Sequence, residues 1–224
     1  MKRIGVFGGT FDPVHAGHIG IASAARQALG LARVDLIASF APPHRPAHRP
    51  APPWQRYAMV VLATAGVEGL FASDREIRRG GPSYTLDTLR SYEQDEPDAA
   101  PVLILGLDAF ADLPSWKEPR ALTSEFDLAV ASRPGVERED VIGSLPVWLT
   151  SRIVTPAAFP SGKGGEPAPG RVVLLDLGAY PISGTQVRRR SARGESIKDL
   201  VPEAVADYIL KYGVYEGGCP ATGE

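Results

Sequence analysis

Apolar residues in this chain alternate between short solid runs and stretches with helical spacing. Arg3 to Phe7 is a solid run that stops at Gly8-Gly9 and reads as a buried strand followed by a glycine turn. From Gly17 to Leu29 the chain is Ala-rich, with Ile19, Ala22, Ala25 and Leu29 spaced for one helix face. Gly30 ends that helix, and Val34 to Phe40 is a second strand. Strand, helix and strand in so short a span predict a βαβ unit and hence a parallel sheet.

The pattern repeats downstream. Trp54 to Ala65 and Tyr84 to Tyr92 read as helices and Leu70 to Ala72 as a short strand. Val102 to Leu105, Phe126 to Ala131 and Arg171 to Leu175 read as further strands. Ser183 opens a helix, and Pro202 to Tyr212 forms a last amphipathic one through Val205, Tyr208, Ile209 and Tyr212. The proline-rich stretch from Ala41 to Pro53 is predicted to be a long loop. Residues 136–170 are expected to be an irregular insertion and the residues after 215 a frayed tail. The alternation predicts one doubly wound α/β domain over residues 1–215, its sheet mostly parallel and helices on both faces.

Composition narrows the function classes. The 224 residues carry 24 Lys and Arg against 26 Asp and Glu, a formal charge of −2. That balance disfavours a dedicated nucleic-acid or membrane-surface binder, although Arg188 to Arg193 is a local basic cluster. The single Cys219 leaves no intramolecular disulfide and suits a reducing compartment. No apolar run is long enough to span a membrane, and the N-terminus, broken by Gly5, Gly8 and Gly9, is no signal peptide. The expected location is the cytoplasm. A homo-oligomer is compatible with the sequence.

The chemistry gathers in two places. All four histidines lie between positions 15 and 48, and the first two end the string Gly8-Gly9-Thr10-Phe11-Asp12-Pro13-Val14-His15-Ala16-Gly17-His18. This string joins the first strand to the first helix, where a doubly wound sheet binds its ligands. Glycines admit a ligand close to the backbone, and the helix start suits phosphate. His15 and His18, three apart, can aim both imidazoles at one point and stabilise charge during displacement at phosphorus. No general base is needed if the attacking group is already a phosphate anion. The string is neither the dinucleotide fingerprint nor a P-loop, and a zinc site on Asp12, His15 and His18 fits poorly, since helical zinc pairs sit four apart. Near the C-terminus, Ser183 with Gln186 matches a capping box, so Ser183, Thr185 and Arg188 stand at a second anion-binding helix start.

Gly8 to His18 resembles the G-G-T-F-D-P-x-H-x-G-H signature of the nucleotidyltransferase superfamily, and Ile182 to Arg188 resembles its I-S-S-T-x-x-R motif. Further blocks are similar to the bacterial nicotinate-nucleotide adenylyltransferase family: Pro42-Pro43-His44-Arg45, Gly81 to Leu89, Gly106-Leu107-Asp108 with Trp116, Ser132 to Gly135, and Ser196 through Val205. The resemblance implies a Rossmann-like fold of nucleotidyltransferase type. It also implies transfer of AMP from ATP, with Mg²⁺, to nicotinate mononucleotide, giving deamido-NAD and pyrophosphate. By motif position, Gly8, Gly9, Thr10 and Phe11 would line the nucleotide cleft. His15, His18 and Arg188 would hold the phosphates, with Thr10 beside them and Ser183 and Thr185 on the same anion site. Gly106 and Asp108 would contact ribose. Thr85 and Trp116 would hold the nicotinate ring, and Arg45 and Arg133 would lie on the acceptor side. Three features depart from the family pattern: Gly184 in place of a serine, Arg45 in place of a lysine, and a longer segment at 136–170. Alternatives are the same fold acting on nicotinamide mononucleotide or phosphopantetheine, a silent nucleotide-binding module, and a nucleic-acid module resting on the arginine cluster.

Overall fold

A computed structural model describes residues 1–42, 50–132, 138–159, 170–178 and 180–216. Its centre is a seven-stranded sheet in the order β3-β2-β1-β4-β5-β7-β6, with every pairing parallel. The strands are β1 (Lys2–Gly9), β2 (Arg33–Ala38), β3 (Leu70–Ser73), β4 (Ala99–Gly106), β5 (Asp127–Ala131), β6 (Ile153–Val154) and β7 (Val172–Leu175). The sheet is fully rather than mostly parallel among the described residues. Helix α1 (Ala16–Leu29) follows β1, and α2 (Pro53–Thr64) precedes β3. Next come α3 (Arg75–Arg79), α4 (Thr85–Asp95), α5 (Leu107–Asp112) and α6 (Pro119–Glu125). The remainder are α7 (Arg138–Ser144), α8 (Val147–Thr150), α9 (Gly184–Ala192) and α10 (Glu203–Tyr212).

Side chains alternate across the pleat, so each strand feeds two cores. Val102 and Ile104 join Ala22, Ala25, Met59, Val60, Val205 and Ile209 under α1, α2 and α10. Leu103 and Leu105 join Leu86, Leu89, Phe110 and Leu149 on the other face, under α4, α5 and α8. This is the doubly wound arrangement that solid apolar strands require.

The stretch expected to be irregular is ordered over 138–159, which corrects that expectation. It holds α7, α8 and the two-residue edge strand β6, elements too short to show a period, and Leu149 fills the second core. Residues 160–169 lie outside the described residues, as do 217–224.

Charges at the two ends of the sheet are used differently. At the amino ends of the strands, buried Arg3 pairs with Asp127 at 3.0 Å, and Asp127 also accepts the Arg171 N–H. Arg33 pairs with Asp35, which accepts from the Tyr92 hydroxyl at 2.9 Å. These groups seal strand starts. The carboxyl ends carry the cleft.

Candidate active site

The strand order reverses at β1, with β2 on one side and β4 on the other. Ligands of open α/β sheets bind in the crevice at such a switch point. Here it opens as a cleft of about 540 Å³. Gly8, Gly9, Thr10, Phe11, His15 and His18 form one wall. Ser183, Thr185 and Arg188 form another, and Gly106, Asp108, Thr85 and Trp116 line the far part. Every candidate residue that the structure describes therefore meets in one cleft. Arg45 and Arg133 lie outside the described residues, as do His44 and His48.

The histidines are fixed by the start of α1. His15 is its N-cap residue, and its backbone N–H donates to Nδ1 of His18 at 3.2 Å. An Nδ1 that accepts carries no proton, so the neutral His18 ring holds its proton on Nε2 and can donate there. The two rings stack, with centroids 3.7 Å apart and planes 24° apart. Phe11 meets His18 edge-on at 4.9 Å and Phe7 at 6.0 Å, which restricts the ring to one plane. Glycine at 17 makes room for this packing. A Cβ there would stand 3.1 Å from Nδ1 of His15 and 3.2 Å from Cβ of Tyr180.

The second anion site is built as its capping motif suggests. Ser183 caps α9, its hydroxyl accepting the Gln186 N–H at 3.2 Å. Arg188, one turn in, does not extend into solvent. Nη1 donates to the Asp12 carbonyl at 2.5 Å, and Nη2 donates to Oγ1 of Thr185 at 3.1 Å. The start of α9 thus lies against the loop that leads into α1, and the positive ends of two helix dipoles converge. Gly184 permits the contact. A Cβ there would fall 2.9 Å from the Asp12 carbonyl oxygen, so the usual family serine could not be added without a backbone shift.

The acceptor end is more apolar. Trp116 packs on the second core and lines the cleft beside Thr85, the first residue of α4. Lys117 lines the same end; its Nζ sits 4.4 Å from the Tyr84 ring centre and 3.4 Å from Oδ2 of Asp87. Among the described residues no three His, Cys, Asp or Glu side chains gather into a metal cage.

Several residues of this site are absent from the sequence reading. Arg56 of α2 is fully buried, and its guanidinium donates to the carbonyls of Ala51, Thr10 and Ser39 at 2.8, 2.6 and 2.6 Å. Burial lowers its pKa, and Asp12 opposes that shift. A signal existed: Arg56 shares the buried stripe of Met59, Val60 and Ala63, where an arginine must find internal partners. Lys117 carries no signal beyond its place next to Trp116.

Glu76 is the other omission. It is buried beside the cleft and accepts from the Thr88 hydroxyl at 2.7 Å. Ser83 links it to the β2 end by accepting the Phe40 N–H at 2.9 Å. Burial raises the Glu76 carboxyl above its ordinary range, against hydrogen bonds from Ser83 and Thr88. The folded chain therefore binds this proton more tightly than the unfolded chain. That contribution favours folding below the ordinary carboxylate pKa and is lost as pH rises through the raised value. Glu76→Gln is expected to remove this slope, so at alkaline pH its urea stability should equal or exceed that of the parent chain. A variant clearly less stable at that pH would show that the charged carboxylate is needed.

The chain matches the cytidylyltransferase-like family over residues 6–190 and belongs to that family. A "probable nicotinate-nucleotide adenylyltransferase" of Geobacter sulfurreducens is 37% identical, covering 95% of this chain and 98% of its own. One of Aeromonas salmonicida is 38% identical over 95% and 97%. The fold is shared with Plasmodium falciparum nicotinic acid mononucleotide adenylyltransferase complexed with NaAD, at a TM-score of 0.71 and 18% identity, covering 96% and 98% of the two chains.

Proposed function

We infer that the chain is a nicotinate-nucleotide adenylyltransferase, transferring AMP from ATP to nicotinate mononucleotide and forming deamido-NAD and pyrophosphate. The observation that carries this reading is the meeting of two helix starts, α1 with its stacked histidines and α9 with Arg188, in a cleft that runs on to Trp116 and Thr85. The first part suits a triphosphate and the second a flat ring.

A phosphate oxygen of the acceptor attacks the α-phosphorus of ATP. The bond from that phosphorus to the oxygen bridging to the β-phosphate breaks, and pyrophosphate leaves with the electron pair. The nucleophile is already anionic, so no side chain needs to remove a proton. Charge grows on the phosphoryl oxygens and the leaving group. His18 answers it with Nε2–H, Arg188 with its guanidinium, and the helix starts with backbone N–H groups. His15 contributes the stacked ring and the backbone donor that set the His18 tautomer. Thr10, with Gly8, Gly9 and Phe11, lets the nucleotide lie close to the β1 end. Gly106 and Asp108 face its ribose.

At the acceptor end Trp116 stacks on the pyridine ring, and Thr85 donates to the ring carboxylate. Lys117 supports the choice of a carboxylate over an amide by placing a cation there. Mg²⁺ would come bound to the ATP phosphates as part of the substrate, where it would neutralise their charge. We place the reaction in the cytoplasm. No helix among the described residues is long and apolar enough to cross a membrane.

The test is pyrophosphate release with Mg·ATP and each acceptor in turn. The expected result is a kcat/KM for nicotinate mononucleotide at least about tenfold above that for nicotinamide mononucleotide, the scale of one charged hydrogen bond. Equal or reversed preference would move the assignment to a sister specificity. Turnover only with phosphopantetheine, or binding of ATP without turnover, would overturn it.

A further inference from the structure

After α10 the chain reverses at Gly213, whose left-handed backbone (φ 58°) lets the Val214 N–H return to the Ile209 carbonyl at 3.1 Å. The reversal lays the half-buried Tyr215 on the loop between β1 and α1, more than two hundred residues away in sequence. Its hydroxyl donates to Oδ1 of Asp12 at 2.9 Å. The same oxygen accepts the Ala51 N–H at 3.0 Å. Oδ2 of Asp12 lies 3.6 Å from Nη1 of Arg188, the same nitrogen that donates to the Asp12 carbonyl. Asp12 is buried, so its orientation depends on these partners.

We propose that Tyr215 is a positioning residue for adenylyl transfer, its phenol holding Asp12 and through it the phosphate-facing loop and Arg188. The proposal rests on the reading of this cleft as an ATP site. Nothing at Tyr215 touches the reacting atoms; it acts through Asp12. Its donor is dependable, because burial and the neighbouring carboxylate hold the phenol protonated well above the ordinary tyrosine range. Asp12 is in effect a junction where three distant segments meet: the α2 entrance at Ala51, the α9 arginine and the C-terminal turn. Removing one donor from a buried carboxylate loosens the junction more than it loosens the core, because α10 itself is anchored separately by Val205, Ala206 and Ile209.

The experiment compares the full chain with Tyr215→Phe, which keeps the ring and removes only the hydroxyl. Mg·ATP affinity is measured by titration calorimetry, and kcat and the two KM values by pyrophosphate release. Affinity for ATP is expected to fall by about tenfold and kcat to fall with it, while KM for the acceptor stays within about twofold. Asp12→Ala, which removes the acceptor, lowers ATP affinity as well, and adding Tyr215→Phe to it produces no further loss, since both changes cut the same link. Equal ATP affinity and kcat in Tyr215→Phe overturn the inference, as does a loss shared equally between the two substrates. A fully additive double variant also overturns it. If Asp12→Ala fails to fold, the Tyr215→Phe affinities decide alone. A parent chain that binds no Mg·ATP overturns the reading of the cleft and this inference together. Normal binding by both chains overturns this inference only.

Discussion

His18→Ala is expected to lower kcat for AMP transfer by roughly 10²–10³-fold while leaving KM for both substrates nearly unchanged. The reason is where the donor points and when it matters. Nδ1 of His18 accepts the backbone N–H of His15, so Nε2–H is the ring's donor. A donor of this kind gains most when charge builds on the phosphoryl oxygens, so its loss raises the barrier more than it weakens the ground state. The ring is also held before substrate arrives, stacked on His15 and edged by Phe11, so no reorganisation is needed at the moment of transfer. The fold should survive. His18 contributes to one helix cap, worth about 1 kcal/mol, which is a melting shift of only a few degrees for a chain of this size. Circular dichroism and a thermal melt establish folding, and single-turnover pyrophosphate release measures the chemical step. A folded His18→Ala enzyme with parental kcat would remove histidine from the mechanism.

Much of this site is legible in the chain because its parts are local. Gly8 to His18 is one contiguous string placed between a solid apolar run and an amphipathic helix, so its position at a strand end follows from periodicity alone. The cap at Ser183 is equally local. Two kinds of feature escape such reading. Elements of one or two turns, such as α5 and α8, and the two-residue strand β6 carry too few residues for a period to emerge, and only packing on the sheet makes them regular. Long-range partners escape for a different reason. Asp12 reads as a loop carboxylate and as a conceivable ligand, yet its partners are Arg188 and Tyr215 from the far end of the chain. No spacing rule joins those positions. Arg188 shows the same limit in reverse: its motif marks it as phosphate-facing, but not its docking on the Asp12 carbonyl. Trp116 is both packed on the core and open to the cleft, and no local spacing separates the two roles.

Arg56→Met is expected to lower the unfolding free energy by about 3–5 kcal/mol, the largest stability effect foreseen for any residue near the cleft. Methionine matches much of the stem but offers no donors. Three well-formed hydrogen bonds to main-chain carbonyls disappear, and those carbonyls lose the donor that satisfies them beneath the surface. The cost is offset in part because a buried guanidinium is itself expensive: its pKa is already lowered by desolvation, and that penalty vanishes with the charge. The loss should nonetheless prevail, since each bond from a charged donor is worth about 1.5–3 kcal/mol. In a chain of this length the change corresponds to a melting point lower by roughly 6–20 °C. The effect should also reach ATP. The three carbonyls belong to the phosphate-facing loop at Thr10, the end of β2 at Ser39 and the entrance to α2 at Ala51, so one side chain ties together the segments that shape the adenylate end of the cleft. Weaker Mg·ATP binding is therefore expected even at temperatures where the variant is folded. Arg56→Lys separates charge from geometry. An ammonium keeps the charge but cannot reach three carbonyls in a plane, so it should recover less than half of the lost stability. Urea unfolding of the three chains with parallel ATP titrations provides the measurement. An Arg56→Met chain within about 1 kcal/mol of the parent, binding ATP normally, would mean that water can replace the guanidinium and that these loops hold their shape without it.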